Sequence, residues 1–345
     1  MVNSLRDNGL VSVIVPVYNR EQLIVHAIES VLAQSYQNWE LIISDNKSTD
    51  RTLAVIQRYA AGDARIKIIV NASNVGPVAN WEIAVRASRG EFVKFLFSDD
   101  WLEANYLEES LKAIQQNNDI AYVFSPAAIV FEDRQVLFYK CYQNSCIIHG
   151  REFIDGVISE KGFPVSPGCA LFRRNEIVNN ITSNISAEEG VDFARFGAGP
   201  DLLMYLLPLL DRSKLVGFVA STQAYFLVHD GSFTISNDLT SYYEYAKAHF
   251  LNLYRDRKIT TKMYFRYTKN QDCRLFFEPY RKRLEINDYR AYITLCTTNV
   301  RIMDFAKRVA RKIKHISWLS PYKFCLRVLR KIKRIMNSLE LPKIK

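Results

Sequence analysis

The first hundred residues alternate between short apolar runs and stretches of helical periodicity. Apolar, β-branched runs predict buried strands at residues 11–17, 39–44, 66–70 and 92–97. Between them, apolar residues recur every three or four positions, which predicts helices at residues 21–34, 52–60 and 78–87. Short loops join these elements, and such a strand–helix series is typical of a doubly wound parallel sheet in an α/β protein.

The pattern is less regular after residue 100. A helix over residues 106–116 and a strand over 120–125 are expected to continue the sheet. Residues 126–200 mix short strands and loops, residues 200–211 form an apolar helix, and residues 240–300 have helical patterns rich in tyrosine. The fold prediction is therefore a mostly parallel doubly wound sheet, followed by a smaller region and a helical carboxyl-terminal tail.

Acidic side chains follow two of the predicted strands. Asp45 comes after the run that ends at Ser44, and Asp99 and Asp100 come after the run that ends at Phe97. Ligands of open α/β sheets bind beyond the carboxyl ends of the strands, so these positions predict a polar site. Two adjacent acids repel each other unless a cation or donors compensate, which favours Mg²⁺ or Mn²⁺ held by hard oxygen ligands. The alternative is structural, with Asp45 and Asp100 serving as helix-capping carboxylates.

The net charge of +10 is concentrated at one end of the chain. Residues 301–345 hold 14 Lys or Arg and two acids, whereas residues 1–300 are close to neutral. The tail pattern predicts two basic amphipathic helices, with Trp318 and Tyr322 between them, which suit an anionic membrane surface. A solvated helix pair packed on the body is the alternative. No nucleic-acid-binding motif accompanies the charge, so we expect no nucleic-acid partner.

The six cysteines form no CxxC pair and have no histidine at zinc-site spacing, so we interpret them as reduced thiols of a cytosolic protein. The first residues, MVNSLRDNGLVSVIV, lack the basic and apolar segments of a secretory signal. The sequence contains no run of about 18 apolar residues, so no membrane-spanning helix is predicted.

Three segments in order, VSVIVPVYN, ELIISDNKSTD and NVGPVANWEIAVRASRGEFVKFLFSDDWL, resemble the nucleotide-sugar domain of family 2 glycosyltransferases. The resemblance implies the GT-A fold, as in bacterial enzymes that build O-antigen, capsule or related lipopolysaccharide and polysaccharide chains. It is continuous over roughly residues 10–130 and extends in part to about residue 235. It implies a nucleotide-sugar domain at 10–130, an acceptor-binding and catalytic-base region at 131–235, a helical region at 236–300 and the basic tail at 301–345.

The resemblance also assigns roles to individual residues. It implies that Asp100 ligates the metal that bridges the donor diphosphate and that Asp99 contacts ribose or sugar. Many members have a further acid two positions before Asp99, where this chain has Phe97. The resemblance further implies a base pocket formed by Pro16, Val17 and Tyr18, and it implies that Asp45 accepts a hydrogen bond from the base. It also implies that a third loop and the helix after it approach the nucleotide-sugar through Asn74, Gly76 and Asn80. Gly76 suits a simple turn equally well.

Inverting sugar transfer needs a carboxylate that takes the proton of the acceptor hydroxyl. In members of the family this acid begins a helix after a loop, and GAGPDLLMYLL makes Asp201 the candidate. Glu188, Glu189 and Asp192 are rivals, and a helix-start acid stabilised by the dipole is the structural alternative. The segment YFLVHDGSFT resembles the part of the family that folds over the diphosphate, which implies a phosphate or metal contact for His229 and a supporting role for Ser232. Arg173 and Arg174 are weighed as contacts to an acceptor phosphate and as solvated surface residues.

These expectations define a metal-dependent, inverting glycosyltransferase. It would use Mn²⁺ or Mg²⁺ and move a sugar from a nucleotide-diphosphate donor to a saccharide acceptor that is lipid-linked. It would act as a peripheral protein at the inner face of the bacterial cytoplasmic membrane. The alternatives are a nucleotidyltransferase and a non-catalytic module that binds nucleotide-sugar or membrane. A nucleotidyltransferase would need a Gly-rich basic loop after the first strand, and Tyr18-Asn19-Arg20-Glu21 stands there instead.

Overall fold

The structure, a computed structural model, describes residues 9–185, 191–229 and 239–254. The predicted helical region beyond residue 254, the basic tail at 301–345, Glu188, Glu189 and Ser232 lie outside the described residues. Within the described ranges, no helix combines the length and the apolar character needed to cross a bilayer.

Twelve strands are described, and they form two sheets. In chain order they are β1 Val11–Val17, β2 Trp39–Asp45, β3 Ile66–Val70, β4 Phe92–Phe95, β5 Trp101–Leu102, β6 Ile120–Phe124, β7 Ala127–Val130, β8 Gln135–Phe138, β9 Cys146–His149, β10 Ala170–Arg173, β11 Leu215–Phe218 and β12 Ala224–Leu227.

The helices connect and cover these strands. They are α1 Ile24–Leu32, α2 Thr52–Gly62, α3 Pro77–Ala87, α4 Tyr106–Ile114, α5 Gly150–Ile158, α6 Arg174–Ile177, α7 Phe193–Phe196, α8 Pro200–Leu206 and α9 Thr240–Tyr254. Two 3₁₀ turns, Pro167–Cys169 and Leu207–Leu210, complete the described elements.

The large sheet has the order β3-β2-β1-β4-β10-β6-β11-β9. Strands β3, β2, β1 and β4 are parallel, as are β6 and β11, whereas β10 and β9 run antiparallel to their neighbours. All seven residues of both β1 and β2 are buried, as expected for parallel strands covered by helices on both faces. The predicted α/β, mostly parallel doubly wound sheet is confirmed.

The boundaries of the first strands and helices follow the sequence pattern closely. Strands β1 and β3 have the predicted bounds, β2 extends one residue further to Asp45, and β4 ends at Phe95 rather than Phe97. Pro16 lies in β1 opposite Ser44, one residue before the strand ends. Strand β6 joins the sheet as predicted, but β10 lies between it and β4.

The second sheet, ordered β5-β12-β7-β8, stands beside the carboxyl end of β4. Strand β5 begins directly after Asp100, and β12 pairs with it through Tyr225 opposite Trp101. The two rings stack at 5.3 Å between centroids. This pairing brings residues 224–229 to the acids at the end of β4. Each of the two sheets thus contains strands from residues 10–130 and from residues 131–235. The boundary at residue 130 therefore remains a prediction about which residues bind donor and which bind acceptor.

Candidate active site

The carboxyl end of β2 holds Asp45 in a buried, hydrogen-bonded setting. Its side chain is 1% exposed. The carboxylate accepts hydrogen bonds from the backbone N–H of Ser48, at 3.2 and 3.3 Å, and from the Ser48 hydroxyl. Asp45 lies opposite Val17 in the β1–β2 register, beside Pro16 and the half-exposed ring of Tyr18. The residues predicted to form the base pocket are therefore brought together at one point of the sheet edge.

Asn46, which was not predicted as a site residue, holds the loop at residues 71–76 in place. Its amide oxygen accepts from Asn71 Nδ2 at 3.0 Å and from the Val75 N–H at 2.9 Å. Its amide nitrogen donates to Asn74 Oδ1 at 2.9 Å and to the Gly76 carbonyl at 3.3 Å. All four bonds hold the 71–76 loop against the end of β2, so Asn46 fixes the loop that carries two of the predicted ligand contacts.

Asn80 and Gly76 have clear structural tasks. The buried Asn80 amide exchanges hydrogen bonds with Ser44, at 2.7 and 3.0 Å, and accepts from Asn71 Nδ2 at 2.8 Å. Gly76 has φ of +82°, and an added Cβ would lie 3.1 Å from the Ala194 carbonyl oxygen. The position therefore needs glycine, and the loop lies directly against α7. Asn74 is exposed at the loop surface.

Asp99, Asp100 and His229 lie together beyond the carboxyl end of β4. His229 Nε2 is 3.1 Å from Asp99 Oδ2. Asp100 Oδ1 accepts from the Leu227 N–H at 3.1 Å. Asp100 is only 8% exposed. Burial, followed by the neighbouring Asp99 charge, raises the pKa of Asp100 well above the usual range of an aspartate. A buried carboxylate in this state favours the arrival of a positive charge.

The residues present fit a divalent cation that is also held by other ligands. In the described chain, Asp100 Oδ2 accepts no hydrogen bond, and carboxylate oxygens are the hard ligands that Mg²⁺ and Mn²⁺ prefer. No cluster of three or more His, Cys, Asp or Glu side chains within the described ranges is arranged as a complete metal site. Donor phosphate oxygens and water would have to complete the coordination of such a cation.

A buried lysine supports the acid pair from inside the sheet. Lys94 of β4 is fully buried. Its ammonium donates to the Gly168 carbonyl and lies 4.4 Å from the centre of the Tyr106 ring. Burial lowers the pKa of Lys94 to about 7, while the charges of Cys169 and Asp100 act in the opposite direction. Lys94 was not predicted as a functional residue, although a lysine within the otherwise apolar run of β4 is a signal in the sequence.

Helix α8, which carries Asp201, also binds the turn at residues 166–168 that contains Gly168. Tyr205, one turn after Asp201 on α8, donates its hydroxyl to the Ser166 carbonyl at 2.7 Å. Lys94 and Tyr205 thus anchor residues 166–168 from β4 and from α8. The segment FPVSPGCALFRRNEI contributes this turn, whereas Arg173 and Arg174 lie where β10 meets the amino end of β4. Arg173 bonds backbone carbonyls there, at 2.8 Å to Ile120 and to Ile114.

Asp201 lies in the first turn of α8, and its side chain is buried. Oδ1 accepts from the N–H groups of Gly199 and Leu202, at 2.8 and 2.7 Å. Oδ2 accepts from the hydroxyl of Tyr243 on α9 at 2.8 Å. Burial raises the pKa of Asp201 to about 7, and these three bonds partly oppose the rise. A carboxylate oxygen has two lone pairs, so Oδ2 keeps one for a proton.

Of the acids weighed as the general base, the structure describes Asp192 and Asp201. Asp192, a rival for the base, caps α7 by accepting from the Arg195 N–H at 3.1 Å. Asp201 therefore differs from Asp192 in being buried and in having a raised pKa.

Comparison with known proteins identifies the family to which part of the chain is similar. The glycosyl transferase family 2 model matches residues 12–178. That stretch holds β1 to β4, the two acid-bearing strand ends and the 166–169 turn. Residues 12–178 therefore form a glycosyl transferase family 2 domain.

Several relatives have similar sequences. One, from Escherichia coli, is named UDP-Glc:alpha-D-GlcNAc-diphosphoundecaprenol beta-1,3-glucosyltransferase WfgD, and it is 37% identical over 36% of this chain and 48% of its own length. The putative teichuronic acid biosynthesis glycosyltransferase TuaG of Bacillus subtilis is 36% identical over 36% of this chain and 49% of its own. The chain thus spans about half the length of these curated relatives.

Among solved structures, that of S. aureus TarS 1-349 in complex with UDP-GlcNAc is similar in fold. It superposes with a TM-score of 0.56 at 19% identity, over 75% of this chain and 72% of that one. The likeness confirms the GT-A type of fold predicted from the sequence.

Proposed function

We propose that this protein is a glycosyltransferase that moves a sugar from a nucleotide-diphosphate donor to a saccharide acceptor. The observation that carries the proposal is the meeting of Asp99, Asp100 and His229 at the end of β4, on the same sheet edge as Asp45. Family membership over residues 12–178 supports the same reaction class.

The donor would bind along the ends of β1, β2 and β4. Asp45 offers its carboxylate to the base N–H, with Pro16, Val17 and Tyr18 beside it, and Asp99 contacts ribose or sugar. Asn74 and Gly76 lie on the loop that faces the donor, while Asn80 holds that loop from below. Asp100, assisted by His229, would hold Mn²⁺ or Mg²⁺. A bound cation of this kind supplies charge stabilisation to a leaving diphosphate.

The acceptor would be activated by Asp201. Its Oδ2 takes the proton of the attacking hydroxyl, and the raised pKa suits a base that works near neutral pH. The acceptor hydroxyl would attack opposite the departing diphosphate, which makes the transfer inverting. Lys94 and Tyr205 keep the two halves of this machinery at a fixed separation through the 166–168 turn.

The acceptor is proposed to be lipid-linked. The relative WfgD has a diphosphoundecaprenol-linked acceptor in its name, and TuaG is named for teichuronic acid biosynthesis. With the basic pattern of residues 301–345, this supports a peripheral position at the inner face of a bacterial cytoplasmic membrane, in cell-surface polysaccharide synthesis.

Donor hydrolysis tests the proposal. The purified chain is incubated with UDP-, GDP-, CDP- and dTDP-sugars and Mn²⁺ or Mg²⁺, and released nucleoside diphosphate is measured. We expect metal-dependent release from one donor that is lost in Asp100→Ala. Calorimetric titration with the same nucleoside diphosphates plus metal accompanies the assay. Absence of both release and binding would refute the nucleotide-sugar site.

A further inference from the structure

A cavity lined by described residues at the start of β12 has no role in the proposal above. Its volume is about 460 Å³. Three wall segments surround it: residues 103–105 after β5, residues 137–143 at the end of β8, and residues 220–223 before β12. We call it the outer cavity.

Two walls of the outer cavity are continuous in the chain with the strands that lead to the acid pair. Glu103 follows Asp100 by three positions, and Gln223 leads into β12, whose other end brings Leu227 and His229 to the acids. Because an extended strand rises about 3.3 Å per residue, the outer cavity lies roughly 10 Å from the acid pair along β5 and β12.

Unused donors and acceptors face the outer cavity. Within the part of the chain that the structure describes, the exposed Lys140 ammonium and the exposed Gln143 amide make no hydrogen bond within the protein, and the Gln223 side chain uses only its nitrogen, which donates to Tyr225 at 2.8 Å. One acid, Glu103, and one base, Lys140, balance the formal charge of the lining. A mixture of donors and acceptors without excess charge suits a neutral polyhydroxylated ligand.

The outer cavity also has a rigid aromatic wall. Tyr142 donates its hydroxyl to Glu152 Oε1 at 2.6 Å, and its ring lies 5.6 Å from that of Phe218. Both rings line the cavity. A fixed aromatic surface with convergent polar groups is a usual arrangement for binding the apolar C–H face and the hydroxyls of a sugar.

From these observations we infer that the outer cavity is a subsite for a neutral sugar unit of the acceptor, next to the unit that receives the transferred sugar. The inference rests on the proposed function, because it takes the acceptor to be a saccharide. It adds that at least two sugar units of the acceptor contact the enzyme, and that Lys140, Gln143 and Gln223 select the second one.

Saturation-transfer NMR on the full chain tests the inference. The probes are glucose, galactose, mannose, N-acetylglucosamine, N-acetylgalactosamine and rhamnose, at millimolar concentration, with and without the nucleoside diphosphate that binds best. We expect at least one monosaccharide to bind in both conditions. Gln143→Ala should weaken its affinity about five-fold, the loss expected for one hydrogen bond. Gln135 is an exposed residue of β8 that does not line the outer cavity. The matched control Gln135→Ala should therefore leave the monosaccharide affinity unchanged.

Two further variants keep the test decisive. Lys140→Ala should weaken binding like Gln143→Ala, and Ala220→Trp should abolish binding by filling the space. No monosaccharide signal, or a signal that none of these lining variants lowers, overturns the inference. Nucleoside diphosphate binding in the same samples separates the outcomes, since a chain that binds nucleotide but no sugar keeps the proposed function and loses the subsite. A chain that binds neither loses both.

Discussion

The two acids proposed to act on opposite sides of the transferred sugar are held in different ways. Asp45, at the end of β2, is bonded by Ser48 only three residues later. Asp201, at the start of α8, depends on Tyr243, which is 42 residues away on another helix. The donor side is thus built from local turns of the chain, and the base side from contacts distant in sequence. Changes on the donor side should therefore affect binding, and changes on the base side should affect the pH dependence of the reaction.

Asp100 stands where the two sides meet, so its loss should have the largest effect. Asp100→Asn should lower donor hydrolysis by roughly 10³-fold, because charge stabilisation by a bound cation is worth several kcal/mol. The free energy of unfolding should not fall, since burial already disfavours the charged form and the amide carries no charge. Activity assays and urea titration measure the two effects.

The control is Asp133→Asn, an acid whose side chain is 74% exposed. It should change neither quantity. A large loss of stability in Asp100→Asn would contradict the interpretation, because it would make Asp100 a structural acid that anchors β12 through Leu227.

Asp201→Asn should come next in size and should act on the base side alone. A missing general base costs at least about 10²-fold in turnover, and we expect a loss of about that size, while nucleotide affinity should be unchanged. In the wild type, kcat/KM should rise with pH through about 7, because burial raises the pKa of Asp201 to that value. In the variant this rise should disappear. Steady-state rates between pH 5 and pH 9 and calorimetry measure the two effects.

The raised pKa of Asp201 also makes the free energy of unfolding depend on pH. The folded state keeps the Asp201 proton up to about pH 7, and the unfolded chain releases it near pH 3.8. This contribution to stability is therefore complete below pH 3.8 and is lost as pH rises through 7. Asp201→Asn should remove that part of the pH dependence of unfolding. If the dependence persists in the variant, another group is responsible for it.

The donor side could be predicted from sequence because its determinants are close together in the chain. The apolar runs gave the bounds of β1 and β3 without error, and strand alternation with helices placed Asp45 and Asp100 at one sheet edge. The insertion of β10 between β4 and β6 could not be predicted. It is an antiparallel pairing of residues about 80 positions apart, and local periodicity contains no information about partners.

Side-chain roles divide in the same way. A role for His229 at the metal or phosphate was implied only by the family resemblance, and its contact with Asp99, 130 residues away in the chain, was not predicted. Lys94 and Asn46 were missed, although each had a signal: a lysine inside an apolar strand, and an amide directly after a strand-end acid. The bond from Tyr243 to Asp201 had no such signal, because a tyrosine in a tyrosine-rich helix does not indicate its partner.

Asn46→Ala should break the local organisation of the donor side. The Val75 N–H and the Asn71 amide lose their acceptor, so the unfolding free energy should fall by about 2 kcal/mol. Nucleoside diphosphate affinity should fall about ten-fold as the 71–76 loop moves away from β2, since 1.4 kcal/mol corresponds to that factor. Asn74→Ala, an exposed member of the same network, should have a smaller effect on both. Equal effects of the two variants would mean that Asn46 is no special anchor of the loop.

Tyr243→Phe should have the smallest effect and makes the sharpest distinction between the two sides. Its hydroxyl bond to Asp201 Oδ2 stabilises the carboxylate and so lowers the pKa that burial raises. Without that bond the pKa should rise further above 7, and the acid limb of kcat/KM should move to higher pH. The rate at neutral pH should fall a few-fold, yet the plateau at high pH should stay close to that of the wild type, because the base itself is intact.

Tyr242→Phe is the matched control for that shift. Tyr242 is the neighbouring tyrosine on α9, and its ring packs on Phe193 and Phe196 at 5.3 Å. The substitution keeps this ring contact and leaves the bond to Asp201 untouched, so the pH profile should not move. A displaced acid limb in Tyr243→Phe alone would show that a remote hydroxyl tunes the base. If both variants lowered the rate equally at every pH, α9 would act only by supporting α8, and Asp201 would lose its claim to set the pH dependence.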